Sequence, residues 1–497
     1  MKNSFPVDFR FGVADADLQV IGEKFARAAE GSEESMWSWF ARESGKVHND
    51  TPPDVGANRY GLWESDIALM RELGVRSYRT SVSMCRLLTP KGEINVKAAQ
   101  WYERYFTALR KNGITVYATL YHWELPQFLN AQGGWKNRLM IDWLSKHAEA
   151  VYQTLGEYIE EYFILNEPWC SSFLSYHLGV HAPGETDLSS GLLAAHNLLL
   201  AQGAAFEKLK SLDRSLKVST VLNLAPTYAA TPSVEDGVAA RYADVYHNTW
   251  FLEPIFNGRY PELGLELFRS KLPYYGKADL ALMQIGPRMH SLGVNYYRGE
   301  LVAADERAEL KFKGVRRAGE EVNDLDWPIY VPPIYREGLY DILQQIWFAY
   351  RGSGLKNICI TENGMAQATE AGSPVIPDAR RLDYLKAHIG QCAAAIERGV
   401  PLSAYFLWTL MDNYEWAEGH RPESCFGIVG VDRKTLKRTK KSSAVWYGEL
   451  IRDHAGGKAP TLSEVVKPVH PPTTARTVKR APTKEKSRKG RRVAKRR

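Results

Sequence analysis

Residues 66–121 read DIALMRELGVRSYRTSVSMCRLLTPKGEINVKAAQWYERYFTALRKNGITVYATLY, and this stretch decides the fold. Asp66–Leu73 has apolar residues at helical spacing and ends at Gly74, a helix stop. Ser77–Ser83 is a short strand run. Asn95–Asn112 is a second helix, capped by Asn95 and closed by Gly113, and Thr115–Tyr121 is the next strand. Helix, strand, helix, strand at this spacing is the mark of parallel β/α units.

The pattern continues in both directions. Further strands fall at Phe9–Ala14, Tyr162–Asn166, Lys217–Leu222, Ser291–Tyr296, Asn357–Thr361 and Ala404–Thr409, with helices at Asn137–Leu155, Ser190–Ser211, Arg336–Tyr350, Asp378–Glu397 and Lys441–Arg452. Eight strands alternating with helices predict one α/β domain over residues 1–455, a (β/α)8 TIM barrel with elaborated loops at 223–290 and 297–335. No G-x-G-x-x-G follows a strand, which argues against a dinucleotide fold.

Composition agrees with a large globular domain: of 497 residues, 44% are hydrophobic and 24% charged. No run of about 18 uncharged apolar residues is present, so no membrane association is expected, and the start shows no secretory pattern. Five cysteines, none in C-x-x-C spacing, suit a reducing, cytoplasmic setting and offer no zinc or disulfide framework. The net charge of +7 is unevenly spread. Residues 476–497 hold twelve Lys or Arg against one acid, Glu485, a local +11, which leaves −4 for the rest. Residues 456–497 are therefore expected to be a disordered Lys/Arg-rich tail. It is either a solvated extension or a non-specific binder of nucleic acid or another anionic surface through counterion release.

In such a barrel the chemistry sits at the C-terminal strand ends. The fourth strand ends Leu165-Asn166-Glu167-Pro168-Trp169 and the seventh Ile360-Thr361-Glu362-Asn363-Gly364. One Glu at a strand end is ordinarily an ion-pair partner. Two at matched ends across one mouth are what glycosidic cleavage needs, one to protonate the leaving oxygen and one to attack or stabilise the anomeric carbon. His122 ends the third strand. After the eighth, Trp408 and Trp416 suit stacking on sugar faces, and Glu415 suits two vicinal hydroxyls. Trp347, Trp446, His196 and His290 read as structural. His177 and His181 stand four apart but lack the other parts of a metal motif.

The motifs Tyr121-His122-Trp123-Glu124-Leu125-Pro126, Leu165-Asn166-Glu167-Pro168, Gly293-Val294-Asn295-Tyr296-Tyr297, Ile360-Thr361-Glu362-Asn363-Gly364 and Asp412-Asn413-Tyr414-Glu415-Trp416-Ala417-Glu418-Gly419 occur in this order. With them the chain, from about Phe9 to Arg452, resembles the family 1 glycoside hydrolases, the β-glucosidase and β-glycosidase group. The resemblance implies a retaining exo-β-glycosidase acting on terminal β-D-glucosyl residues of a small β-glycoside or oligosaccharide, with β-galactosyl or β-fucosyl residues tolerated. Transglycosylation through the same intermediate, or carbohydrate binding without catalysis, are the alternatives. It implies Glu167 as acid/base, Glu362 as nucleophile, Arg79 and Tyr297 beside Glu362, and Asn166 at the sugar 2-hydroxyl. Gln19, His122, Asn295, Trp408, Glu415 and Trp416 complete the sugar-binding set, with no cofactor or metal. The intact Glu415-Trp416-Ala417 implies an unphosphorylated sugar.

Three departures from the family pattern are expected to bear on substrate preference. Asp15, Asp17, Leu18 and Ile21 stand where small or hydroxyl residues, an aromatic and a Glu are usual. Met84-Cys85-Arg86 replaces a Trp-containing triplet, and His420 replaces an aromatic.

Overall fold

The computed structural model describes residues 5–330, 337–369 and 373–458. Eight parallel strands close into a barrel in chain order: β1 (Arg10–Ala14), β2 (Ser77–Ser81), β3 (Thr115–Tyr121), β4 (Ile159–Asn166), β5 (Val218–Asn223), β6 (Leu292–Asn295), β7 (Ile358–Asn363) and β8 (Leu402–Trp408), which returns to β1. The expected (β/α)8 barrel is thus the fold. All eight strands stand where apolar, β-branched runs placed them. β7 continues two residues beyond Thr361, which brings Glu362 into the ladder opposite Asn295 of β6.

The principal helices are α1 (Arg59–Glu72), α2 (Val96–Lys111), α3 (Leu139–Leu155), α4 (Leu188–Leu212), α5 (Val234–Asp244), α6 (Gly338–Tyr350), α7 (Ala379–Glu397) and α8 (Ser442–Ala455). The Asn95 side chain accepts from the Lys97 and Ala98 amides, and Gly74 and Gly113 take left-handed φ of 78° and 71°, as their sequence positions imply. α1 begins seven residues before Asp66, capped by Asn58. Its first turn carries Arg59, buried for an ionic rather than an apolar reason, and that polarity hides the start from a hydrophobic pattern.

Residues 223–290 hold α5 and the helices Trp250–Asn257, Glu262–Phe268 and Lys277–Met283. Residues 297–335 include a small sheet in which Glu300–Ala304 pairs with Thr227–Ala229 and Phe312–Gly314. Arg336, expected to open α6, and residues 459–497 of the expected tail lie outside the described residues. No described helix is long and apolar enough to cross a membrane.

The altered N-terminal signature forms two buried ion clusters. Asp15 accepts from Arg59 Nη1 at 2.6 Å, from the Tyr78 hydroxyl at 2.7 Å and from Thr80 at 2.8 Å. Asp17 accepts from Arg86 Nη1 at 3.0 Å, while Arg86 Nη2 reaches Glu30 at 2.6 Å. The Arg86 guanidinium also lies 4.4 Å from the Trp101 ring centre and 4.3 Å from that of Tyr102. Leu18, Ile21 and Met84 join the apolar core beside them. These carboxylates are anchors for β1 and β2.

Removing one member of a buried pair costs up to about 3–5 kcal/mol, and Arg59 would keep only the longer pairing of its Nε with Asp66, at 3.6 Å. Asp15→Ala is expected to destabilise the chain by that order, read as a lower urea midpoint at unchanged slope.

Candidate active site

The barrel register decides which side chains meet. Asn295 ends β6 between Asn223 of β5 and Glu362 of β7. Arg79 lies on β2, Asn166 ends β4, and Glu167 follows at once. The Glu167 backbone has φ 49°, and Trp123 after β3 (φ 70°) and Trp416 after β8 (φ 51°) share that left-handed region. Such conformations cost non-glycine residues about 1–3 kcal/mol and persist where the surroundings enforce them. Here the Glu167 amide donates to the Val221 carbonyl of β5 at 3.0 Å, and Trp123 Nε1 donates to the Asn166 carbonyl at 3.0 Å. Close approach matters too: a Cβ on Gly364, two residues after Glu362, would lie 1.7 Å from the Trp408 carbonyl oxygen.

Arg79 is fully buried and reaches across the barrel. Its Nη1 donates to Glu362 Oε1 at 2.7 Å and to the Thr361 carbonyl at 3.2 Å, and its Nη2 donates to Asn166 Oδ1 at 2.6 Å. The Tyr297 hydroxyl donates to the other Glu362 oxygen at 2.7 Å. Asn295 Nδ2 donates to Glu167 Oε1 at 2.5 Å and to Asn166 Oδ1 at 3.1 Å. Its own Oδ1 accepts from Thr361 at 2.6 Å.

A cavity of about 320 Å³ opens above this network. Glu167, Glu362, His122, Asn295, Tyr297, Trp408, Glu415 and Trp416, all chosen from the sequence, line it. Gln19, Arg79 and Asn166 stand one layer behind. Gln19 Nε2 donates to the Tyr414 carbonyl at 2.7 Å and to Glu415 Oε2 at 3.3 Å, and its Oε1 is buried with no partner among the described residues. The His122 ring lies near-parallel to both Trp408 and Trp416, at centroid distances of 5.7 and 5.9 Å.

The two carboxyls hold their protons differently. Burial first, and then the neighbouring Glu362, push Glu167 up to about 8. Burial also raises Glu362, but Arg79, Tyr297 and Asn295 all oppose that rise by favouring its charged form. The pair therefore loses its first proton at Glu362. Glu415 is held well above the usual carboxylate range, chiefly by burial and then by Glu362. His122 is held well below the ordinary imidazole range by burial and by Arg79, so its ring is neutral.

Several lining residues escaped the sequence reading: Cys170, Asn223, Trp169, Arg298 and Trp327 among them. Trp169 and Cys170 follow Glu167 directly, so position was their signal. Trp327 and Arg298 lie in a connection without periodicity and gave none. His181, weighed only as a metal ligand, lines the cavity and packs 5.0 Å from Trp123, whereas His177 bonds the Tyr246 hydroxyl at 2.9 Å. Among the described residues no three His, Cys, Asp or Glu side chains gather as a metal site. His420 packs on Tyr414 and does not line the cavity, while the adjacent Arg421 donates to the lining residue Glu418 at 2.6 Å.

A family model described as glycosyl hydrolase family 1 matches residues 1–455. "Beta-glucosidase A" of Thermotoga maritima is 38% identical over 455 residues, covering 90% of this chain and 98% of that protein. A "bifunctional beta-D-glucosidase/beta-D-fucosidase" of Bifidobacterium breve is 34% identical over 477 residues, 92% of this chain and 100% of that protein. A solved Thermotoga maritima family 1 glycoside hydrolase, complexed with a cyclophellitol analogue described as a transition-state mimic, superposes with a TM-score of 0.85 at 38% identity. It covers 91% of this chain and 99% of the other.

Arg79 is the buried cation paired with Glu362, and it favours the charged form of that carboxyl. Arg79→Gln is expected to move the first ionisation of the carboxyl pair upward by about one pH unit or more. Carbon-13 NMR titration of labelled Glu carboxyls, with Glu362→Gln to assign the signal, reads that shift.

Proposed function

The chain belongs to glycosyl hydrolase family 1, and from that premise we propose that it is a retaining exo-β-glycosidase acting on terminal β-D-glucosyl residues. The observation that carries this reading is the division of labour between the carboxyls lining one cavity. Glu362 is paired with a buried cation, and Glu167 is not.

In the first half-reaction a Glu362 oxygen attacks the anomeric carbon as the glycosidic C–O bond breaks, and Glu167 gives its proton to the leaving oxygen. The product is a glycosyl ester on Glu362. Esterification removes the Glu362 charge, the second-largest cause of the raised proton affinity of Glu167. Glu167 is thereby left a weaker acid-holder and a competent base. In the second half it takes a proton from water, which attacks the anomeric carbon and frees Glu362. Double displacement of this kind calls for carboxyls about 5–5.5 Å apart.

The sugar sits against the Trp408 and Trp416 rings. Glu415, oriented by Gln19, offers a hydroxyl-bonding pair, and neutral His122 a further contact. Asn166, held by Arg79 behind the wall, braces that His122 through a 3.2 Å hydrogen bond between its Nδ2 and the His122 Nε2. The printed activities of the relatives, β-glucosidase with β-fucosidase in one, support glucose with tolerance of fucose.

Four outcomes follow, read with nitrophenyl β-D-glucoside and with β-glucosides of poorer leaving groups. Proton NMR during turnover shows β-glucose as the first product, and α-glucose first would overturn retention. Glu362→Ala abolishes nitrophenol release, while Glu167→Ala slows hydrolysis of poor leaving groups by about 10²–10⁴-fold. Glu167 must be protonated in the free enzyme, so kcat/KM falls as pH rises through about 8, and Glu167→Ala loses that alkaline limb.

A further inference from the structure

Cys170 lines the cavity beside Glu167, and no step above uses it. The left-handed turn at Glu167 folds the chain back on itself. The Cys170 amide donates to the Glu167 carbonyl at 3.0 Å, and Cys170 Sγ comes to 3.0 Å from Glu167 Oε2. Asn223, at the end of β5, places Nδ2 3.7 Å from the same sulfur. A donor on the lone-pair side of the sulfur leaves the S–H free to point at the carboxyl. Each oxygen of Glu167 then has one protein donor, Asn295 on Oε1 and Cys170 on Oε2.

From this geometry we propose that Cys170, oriented by Asn223, is a positioning residue for Glu167: its S–H fixes the carboxyl plane and stabilises the ionised form that must act as base in the second half-reaction. The thiol is suited to donate in both halves. Burial, and then Glu167 itself, hold it well above the usual thiol range, so it stays protonated while Glu167 cycles. It is a donor here, and the same environment makes it a poor nucleophile. The fixed plane also leaves the carboxyl proton facing the leaving oxygen rather than bonded back into the wall.

The proposal rests on Glu167 as acid/base, and the test separates the two. The pH dependence of kcat/KM for nitrophenyl β-D-glucoside is measured for wild type, Cys170→Ala, Cys170→Ser, Asn223→Ala and Glu167→Ala. A donor lost from a carboxylate raises its pKa, so Cys170→Ala moves the alkaline limb to higher pH by about half a unit to one unit. Cys170→Ser, which keeps a hydroxyl donor, returns the limb toward its original place. Asn223→Ala leaves the thiol free to rotate and moves the limb the same way by less, a readout that survives if Cys170→Ala does not fold. A cysteine that merely fills space predicts weaker activity or stability with the limb unmoved. A limb lost in Glu167→Ala yet unmoved in Cys170→Ala and Asn223→Ala overturns the role of Cys170 alone. A limb that persists in Glu167→Ala overturns the acid/base reading, and this role with it.

Discussion

One buried cation constrains the rest of the site. The Arg79 guanidinium has no exposure to solvent, and an ion taken out of water costs several kcal/mol unless its donors are matched. Its partners come from β4, as Asn166, and from β7, as Glu362 and the Thr361 carbonyl. Those strands lie far apart around the barrel, so the ion pair forms only when the barrel is closed in register. Closure and the pairing of Glu362 with its cation are therefore a single structural condition. The same network extends through Asn166 Oδ1 to Asn295, and through Asn295 to Glu167. The two carboxyls are thus held at fixed places by hydrogen bonds that share one centre.

The barrel also bears the strain that the site requires. Trp123 and Glu167 just past their strand ends, and Trp416 in the loop after β8, take left-handed backbone, a conformation that rigid neighbours must enforce. The unusual N-terminal segment is itself fixed by charge. A carboxylate at Asp15 or Asp17 would be untenable in an apolar floor. Arg59 answers the first and Arg86 the second, and Arg86 is further held between Trp101 and Tyr102. β1 and β2 are pinned by charge at a layer away from the sugar cavity.

Legibility in the sequence followed the physics of each feature. The barrel strands were readable because a parallel strand buried on both faces must be a short apolar run, and polar residues at their ends then stood out. Glu167, Glu362 and His122 were visible for that reason, Trp408, Glu415 and Trp416 by following the eighth strand, and Asn295 only through its motif. The start of α1 was not, because Arg59 is buried by an ion pair that no hydrophobic pattern records. Trp327 and Arg298 reach the cavity from an irregular connection, whose path depends on tertiary packing rather than local periodicity. Cys170 was hidden differently. Its spacing from Glu167 is plain in the sequence, but only the left-handed turn makes that spacing a contact.

On the reading proposed above, the charge state of the cavity follows from burial and one cation. Glu167, Glu362 and Glu415 share a small space, and like charges in a poorly solvated site cannot all ionise. Arg79 favours Glu362, and the charge on Glu362 in turn raises both of the others. Burial and the shared space therefore favour one carboxylate, Glu362, over a charged Glu167 or Glu415, which suits a neutral sugar whose hydroxyls need donors as well as acceptors. As the glycosidic bond stretches, positive charge grows at the anomeric carbon next to that single carboxylate. The attraction is absent in the ground state and strengthens only toward the transition state, the condition under which an interaction accelerates a reaction rather than merely tightening binding. Arg79 favours the charged form of Glu362, but it also competes for that charge. The Tyr297 hydroxyl, on the other oxygen, offsets part of that charge without a second cation. The site thus works by leaving Glu362 incompletely neutralised: a second buried arginine in place of Tyr297 would satisfy the carboxylate and remove its reason to attack.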